Sequence, residues 1–411
     1  MEHEYDYLIA GGGIIGLTVA RELLHRFPQA QIAIIEKEYD VAQHSSGRNS
    51  GVLHAGFYYT ADSLKARFTR DGNRAMINYC EQQGITVNKC GKLVVATNEE
   101  EYQGLFELKK RAERNGVELH WVDEIEASEI DPNVKTYKKA LYSPNTASVN
   151  PVEVCHAMKK EVQDKGVTFF FNTAYLGRRN DRIVTSRGEF SASYFINAAG
   201  LYADKIAHEF GFGKQYTIIP FKGIYLKYAK NKTDVKTNIY PVPNLKNPFL
   251  GVHFTKTVDH DIKIGPTAIP AFWRENYSGF SRFNLAEFIQ IAYYESILFL
   301  KNSFNFRSLA IEEMKKYVKS NFIGLSLKMV KHIDEKGFGD FLKPGIRAQL
   351  LNKRTLELVQ DFVIEGDSKS MHVLNAVSPA FTCSIPFAAY VVDQIYEKRG
   401  GLNSEINRNE T

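Results

Sequence analysis

With 411 residues, 44% of them hydrophobic, the chain can bury the cores of two substantial domains, or of one domain with a second inserted into it. A formal net charge of +5 is too small to argue for a nucleic-acid partner, although a locally basic face would attract phosphate or anionic lipid. Cys80, Cys90, Cys155 and Cys383 form no C-x-x-C pair and no ligand spacing, so they read as ordinary thiols of a reducing compartment, and no metal site is expected.

The first element is an apolar strand, Tyr7 to Ala10, followed by Gly11, Gly13 and Gly16 in a G-x-G-x-x-G run and a helical stretch from Ile14 through Ile15. A second apolar strand, Ile32 to Ile35, ends at Glu36 and Lys37. Strand, glycines, helix and acid stand at the dinucleotide spacing. The first glycine permits the turn, the second lets a pyrophosphate approach, and the third brings helix and strand together. Glu36 can accept hydrogen bonds from ribose hydroxyls and would repel a 2′-phosphate, which disfavours NADP. The fingerprint starts at residue seven, leaving no room ahead of it for a signal or transit peptide, and no run of eighteen uncharged apolar residues occurs. The expectation is a cytoplasmic protein.

Next comes a loop dense in small hydrogen-bonding residues: Ser45, Ser46, Arg48, Asn49, Ser50 and Gly51, with His54 just beyond. A nicotinamide enzyme normally continues with a helix here. A flavoprotein needs a loop, to wrap the pyrophosphate, the ribityl chain and the edge of the isoalloxazine. Around 194–200 an apolar strand runs into Ala198, Ala199 and Gly200, small residues that let a ligand lie against the backbone.

From 215 to 272, strand-like runs alternate with proline-rich connections, as in an antiparallel sheet. From 284 to 332 the pattern turns helical, with Leu285, Phe288, Ile289, Ala292 and Phe299 on one face, and Met314, Tyr317, Val318 and Asn321 on another. A last helix-like run covers 387–398, and 400–411 reads as a disordered polar tail. The fold class expected is α/β: a discontinuous Rossmann-like nucleotide-binding domain (1–90, 150–215, 340–398) and a second α+β substrate domain (91–149, 216–339) on an antiparallel sheet.

Beyond the cofactor loop, the runs Asn238 to Pro243, Pro248 to Thr255, Ile264 to Ala268, Pro344 to Gln349 and Asn375 to Ala380 follow in order over nearly the whole chain. In these the chain resembles the FAD-dependent L-2-hydroxyglutarate dehydrogenases and oxidases of the glycine-oxidase and D-amino-acid-oxidase superfamily. The resemblance implies a bound FAD and oxidation of a 2-hydroxy dicarboxylate, L-2-hydroxyglutarate, to 2-oxoglutarate, with the C2 hydride passing to flavin N5.

For the hydroxyl proton, the general-base candidates are His253, the first choice, and His54. His54 also resembles the position at which some relatives attach flavin covalently. Substrate carboxylates fall to Arg347, Lys222 and Arg274, with Thr255 beside His253. At Lys222 the chain departs from the family, whose members commonly have arginine followed by glycine and an acid. Pro344, Gly345, Pro379, Ala380 and Thr382 join the cofactor set, the last three preceding a helix whose N-terminus would stabilise an anionic flavin.

Electrons would leave to oxygen, a quinone of the respiratory chain or an electron-transfer protein. Phe280, Phe283, Phe288, Phe299, Phe304 and Phe306, interleaved with Arg282, Lys301, Arg307, Lys315, Lys316 and Lys319, suit a peripheral contact with the inner face of the cell membrane. An amine or amino-acid oxidase of the same superfamily is the alternative enzyme, and a non-catalytic FAD-binding redox regulator the alternative of another class.

Overall fold

Strand β1 (Glu4–Ala10), helix α1 (Ile14–Arg26) and strand β2 (Ile32–Ile35) form the βαβ unit that the glycine run announces. The computed structural model describes residues 4–243 and 249–400. β1 pairs in parallel with β2 and with Gly188–Asn197, and Ala10 stands level with both Ile35 and Asn197. Three carboxyl ends therefore open at one height, where an open parallel sheet binds its ligand. Thr168–Phe170 and Ser370–Asn375 extend this sheet in parallel on its two sides. Stretches far apart in sequence thus share one sheet. Helices α1, Pro151–Asp164 and Ala380–Lys398 cover one face, burying Ile32, Ile34, Met371 and Val373, while Ala33 and Ile35 join a second core and Leu374 a third on the other side, so β2 and Ser370–Asn375 are buried along their whole lengths.

A second sheet of eight strands runs Phe338–Phe341, Leu226–Tyr228, Ile262–Gly265, His253–Lys256, Asn238–Pro241, Lys92–Val95, Lys139–Ser143, His120–Asp123. All its pairings are antiparallel except Asn238–Pro241 with Lys92–Val95. Alternation sorts its side chains: Leu93 and Val95 join Phe254 in one core, Val94 joins Tyr240 and Tyr58 in another. A three-stranded sheet, Ile269–Pro270, Tyr216–Gly223 and Gly345–Asn352, completes the frame. The expected third nucleotide-binding segment thus opens on strands that pair elsewhere: Phe338–Phe341 joins the eight-stranded sheet and Gly345–Asn352 pairs with Tyr216–Gly223.

Two local expectations change. The last helix begins at Ala380, not Phe387, and contains Pro386. Proline removes the bond to the carbonyl of Thr382, and at that point Gly72 of helix Leu64–Gln82 lets the two helices close, since a Cβ there would lie 2.3 Å from Thr382 O. The apolar face of Leu285–Lys301 points outward: Leu285 and Ile289 are 61% and 60% exposed, whereas Glu287, Ile291, Glu295 and Leu298 are buried. Polar bonds decide the orientation, because Glu287 pairs with Lys205 Nζ (2.8 Å) and accepts the backbone N–H of Arg274 (3.1 Å). The tail 401–411 lies outside the described residues.

Candidate active site

A cavity of about 1030 Å³ lies between the carboxyl ends of the parallel strands and the second sheet, lined by Gly11, Glu36 and Ala199 on one side and by Tyr240, His253 and Arg347 on the other. The turn after β1 is built for close approach. Gly11 adopts φ +111°, and a Cβ there would sit 2.5 Å from Ala198 O; at Gly16 it would sit 2.0 Å from Gly11 O. Gly11, Gly13, Ile14 and Ile15 line the cavity, while Gly16 acts behind it by seating α1 on β1. Ser46 Oγ accepts the Ile14 N–H at 2.9 Å. Glu36 accepts the N–H groups of Gly12 (2.7 Å) and Glu38 (3.0 Å) and still reaches the wall. Burial raises its pKa against those two bonds.

The loop after β2 is tied to itself and to the floor. Ser45 Oγ donates to Ile346 O (2.7 Å), Arg48 Nε to Gln43 O (2.7 Å), and Asn49 Nδ2 to Ser46 O (2.8 Å), while Asn49 Oδ1 accepts the Gly51 N–H (2.8 Å). Ser45, Ser46, Arg48, Asn49 and Ser50 line the cavity; Gly51 packs against Val149 instead. Lys37 is on the wall but engages Glu275. Glu38, held far below the usual carboxylate range chiefly by Arg282, with burial opposing, bonds His44 (2.8 Å). Glu38, His44 and Glu275 converge closely enough to hold a cation, yet Lys37 and Arg282 already neutralise both carboxylates.

Ala199, Gly200, Gly345, Pro379, Ala380 and Thr382 line the cavity; Pro344 stands behind, its carbonyl 3.4 Å from Arg48 Nη1. Helix Ala380–Lys398 opens onto it with no side chain capping its first turn, so its N-terminal donors face the space. Thr382 Oγ1 accepts the His54 N–H at 3.2 Å.

His54 and His253 both line the far part and both are buried. Nδ1 of His253 donates to Gly251 O (2.8 Å), which leaves its lone pair on Nε2. Burial drives its pKa down to about 3. His54 Nδ1 lies 3.3 Å from Lys92 Nζ. Arg347 lines the cavity with Nη1 donating to Thr267 O (2.8 Å) and its guanidinium 5.8 Å from the Phe249 ring; among the described residues no carboxylate pairs with it.

Three expected substrate contacts are not on this wall. Lys222 sits one residue along from Phe221, the cross-strand partner of Arg347, so the pleat turns it to the opposite face, toward Asn276 Oδ1 (3.4 Å). Arg274 is fully buried, forked onto Asp204 (Nη1 to Oδ1 2.6 Å, Nη2 to Oδ2 2.9 Å): a structural ion pair. Thr255 is fully buried in the strand beyond His253. Lys92, Tyr58 and Tyr240 also stand at this end of the cavity, without a motif in the sequence that marks them as site residues. A faint signal existed, since a lysine two places before Val94 shares its inward face.

FAD fits these residues. The bare turn at Gly11 and Gly13, the Glu36 carboxylate, the tied loop 45–50 and the uncapped helix at Ala380 supply a ribose acceptor, an anion-facing backbone and a positive helix end around one long cavity.

Comparison with known proteins agrees. The family described as "DAO: FAD dependent oxidoreductase" matches residues 6–296. The L-2-hydroxyglutarate dehydrogenase of Escherichia coli (strain K12) is 35% identical over 400 residues, covering 95% of this chain and 93% of that protein. The mitochondrial L-2-hydroxyglutarate dehydrogenase of Homo sapiens is 36% identical over 420 residues, covering 96% and 89%. Among solved structures, dithionite-reduced L-alpha-glycerophosphate oxidase from Mycoplasma pneumoniae with FAD bound is similar with TM-score 0.75 at 21% identity, covering 96% of this chain and 95% of that one. Glycine oxidase from Geobacillus kaustophilus gives 0.72 at 18%, with the same coverage. Both share the mixed α/β fold.

Proposed function

Because this chain belongs to the DAO family of FAD-dependent oxidoreductases, we propose that it oxidises L-2-hydroxyglutarate to 2-oxoglutarate. The observation that carries this reading is Arg347, a guanidinium with which no carboxylate pairs among the described residues, on the wall of the cavity that both buried histidines also line. Glu36 would hold the adenosine ribose, the turn at Gly11 and Gly13 the pyrophosphate, and loop 45–50 with the helix at Ala380 the flavin side. When bound, FAD supplies a two-electron acceptor for the C2 hydride.

The rest falls to the chain. Nη1 of Arg347 is fixed by Thr267 O, leaving Nε and Nη2 for a substrate carboxylate, a charge-assisted contact of about 1.5 to 3 kcal/mol. The hydroxyl proton must pass to His54 or His253, whose burial keeps both neutral and ready to accept. Around them the rings of Tyr58, Tyr240 and Phe249 line the cavity. Anaerobic bleaching of the flavin by L-2-hydroxyglutarate, measured beside L-lactate and a panel of 2-amino acids, tests the reading. Faster bleaching by an amino acid would turn it toward an amino-acid oxidase, and bleaching by none toward a redox regulator.

The same proposal places the electron acceptor, a quinone, at a membrane surface. No helix among the described residues is long and apolar enough to cross a membrane. Support comes from an exposed run of ring contacts, Phe272–Phe288 (6.4 Å), Phe288–Phe283 (6.0 Å) and Phe283–Phe280 (6.3 Å), and from exposed Lys301 and Lys315 farther along the helical region. Lys316, buried against Glu313, and Arg282, paired with Glu38 and Glu275, contribute nothing there. Co-sedimentation with anionic vesicles, lost in F280D/F283D, checks it.

A further inference from the structure

Lys92 begins a strand at the heart of the second sheet and is completely buried, yet no carboxylate pairs with it among the described residues. Its ammonium position is surrounded by ring faces instead: Nζ lies 4.2 Å from the centroid of Tyr240, 5.2 Å from Tyr58 and 5.5 Å from Phe57. Among the described residues its side chain has one hydrogen-bonding partner, His54 Nδ1 at 3.3 Å. His54 and two of those rings, Tyr58 and Tyr240, line the cavity, and Lys92 stands behind them.

We propose that Lys92 and His54 hold the substrate's hydroxyl proton between them: His54 Nε2 takes it, and the Nδ1 proton of His54 passes to Lys92. The proposal rests on the reading of the substrate as a 2-hydroxy acid. The steps balance. The substrate O–H bond breaks and an Nε2–H bond forms; the Nδ1–H bond breaks and a third N–H bond forms on Nζ; the C2 hydride leaves with its electron pair to the flavin. One proton enters the pair, and its charge ends among three aromatic rings, whose faces attract a desolvated cation.

His253 has no such outlet. Its Nδ1 already donates to a carbonyl, and a proton on Nε2 would create a buried imidazolium near the cations Arg347 and Lys316. In this arrangement His253 is a positioning residue that accepts a hydrogen bond.

Lys92 sets the tautomer of His54. As an ammonium it donates to Nδ1, so Nε2 carries the hydrogen and cannot accept. As a neutral amine it accepts from Nδ1–H, and Nε2 is free. The groups facing the pair are Tyr58, Tyr240, His253 and Cys90, with Arg347 and Lys316 acting through His253. Burial brings the Lys92 amine down to about 7, so competence rises with pH through neutrality.

The test uses the FAD-loaded protein with side-chain 15N-labelled histidine, without substrate, and then anaerobic stopped-flow reduction. The His54 resonances should move from the Nε2–H to the Nδ1–H tautomer as the pH is raised through about 7, and this transition should vanish in K92M. Reduction by L-2-hydroxyglutarate should slow by about 10²-fold or more in K92M and lose its inflection. K92R, permanently charged, should be slow at every pH. A His54 tautomer that does not respond to pH in the unmutated protein overturns the proposal, as does a K92M rate and profile matching it. Should no hydroxy acid reduce the flavin while the tautomer transition is present, the substrate reading fails and the pairing of Lys92 with His54 stands.

Discussion

His253 lies flat on Tyr240, with ring centroids 3.6 Å apart and planes inclined by 17°. The stack joins neighbouring strands at the cavity wall, and the bond from His253 Nδ1 to Gly251 O fixes the imidazole in its plane. Tyr240 in turn covers Lys92. A side chain held by a stack and a carbonyl is better suited to orient a hydroxyl than to become charged.

His253→Gln is therefore expected to keep FAD and to slow flavin reduction by about tenfold, whereas His54→Gln should slow it by about 10²- to 10⁴-fold, the range for a general base. Stopped-flow reduction of the two variants decides between them. A larger loss in His253→Gln would make His253 the base.

Arg347→Lys keeps the charge and loses the fork. The second-order constant for flavin reduction should fall roughly ten- to hundredfold with folding unaffected, matching a charge-assisted bond of about 1.5 to 3 kcal/mol. L-lactate, which lacks the distal carboxylate, locates the contact. Equal losses with both substrates place Arg347 on the carboxylate beside C2; a loss confined to L-2-hydroxyglutarate places it on the distal one.

Gly11→Ala meets both a positive φ and a carbonyl 2.5 Å away, whereas Gly84, at φ +69°, has open space around its Cβ position. Gly84→Ala should cost about 1 kcal/mol of backbone strain. Gly11→Ala should cost more and abolish the flavin absorbance of the purified protein. Thermal unfolding and visible spectra report the two effects separately.

Arg274→Met would leave Asp204 charged and buried, and should destabilise by about 3 to 5 kcal/mol. Burial alone would raise the Asp204 pKa, but the Arg274 pair outweighs it and holds the carboxyl below its ordinary value. Its contribution is thus present above the unfolded-state pKa of about 3.9 and is lost as the pH falls through the lower folded value. Denaturant midpoints taken from about pH 6 down to pH 3 should fall for the unmutated protein and stay flatter for Asp204→Asn, because the amide cannot titrate.

The cofactor half was legible in the sequence because its information is local. Gly11, Gly13 and Gly16 answer to steric limits within one turn, Glu36 ends the next strand, and the loop 45–51 binds mostly to itself, so spacing and residue type suffice. The substrate half depended on which way each side chain points. Lys222 and Arg347 look equivalent as cations within motifs, yet a one-residue offset across paired strands sends one into the cavity and the other to the opposite face. Arg274 was assigned by a partner seventy residues away, Asp204, and the apolar face of Leu285–Lys301 was turned outward by buried Glu287. Lys92 gained its meaning only when strand pairing set it behind His54 and under Tyr240. Local backbone sterics are written in neighbouring residues; the pleat, the register and the neutralisation of buried charge are settled only when distant strands meet.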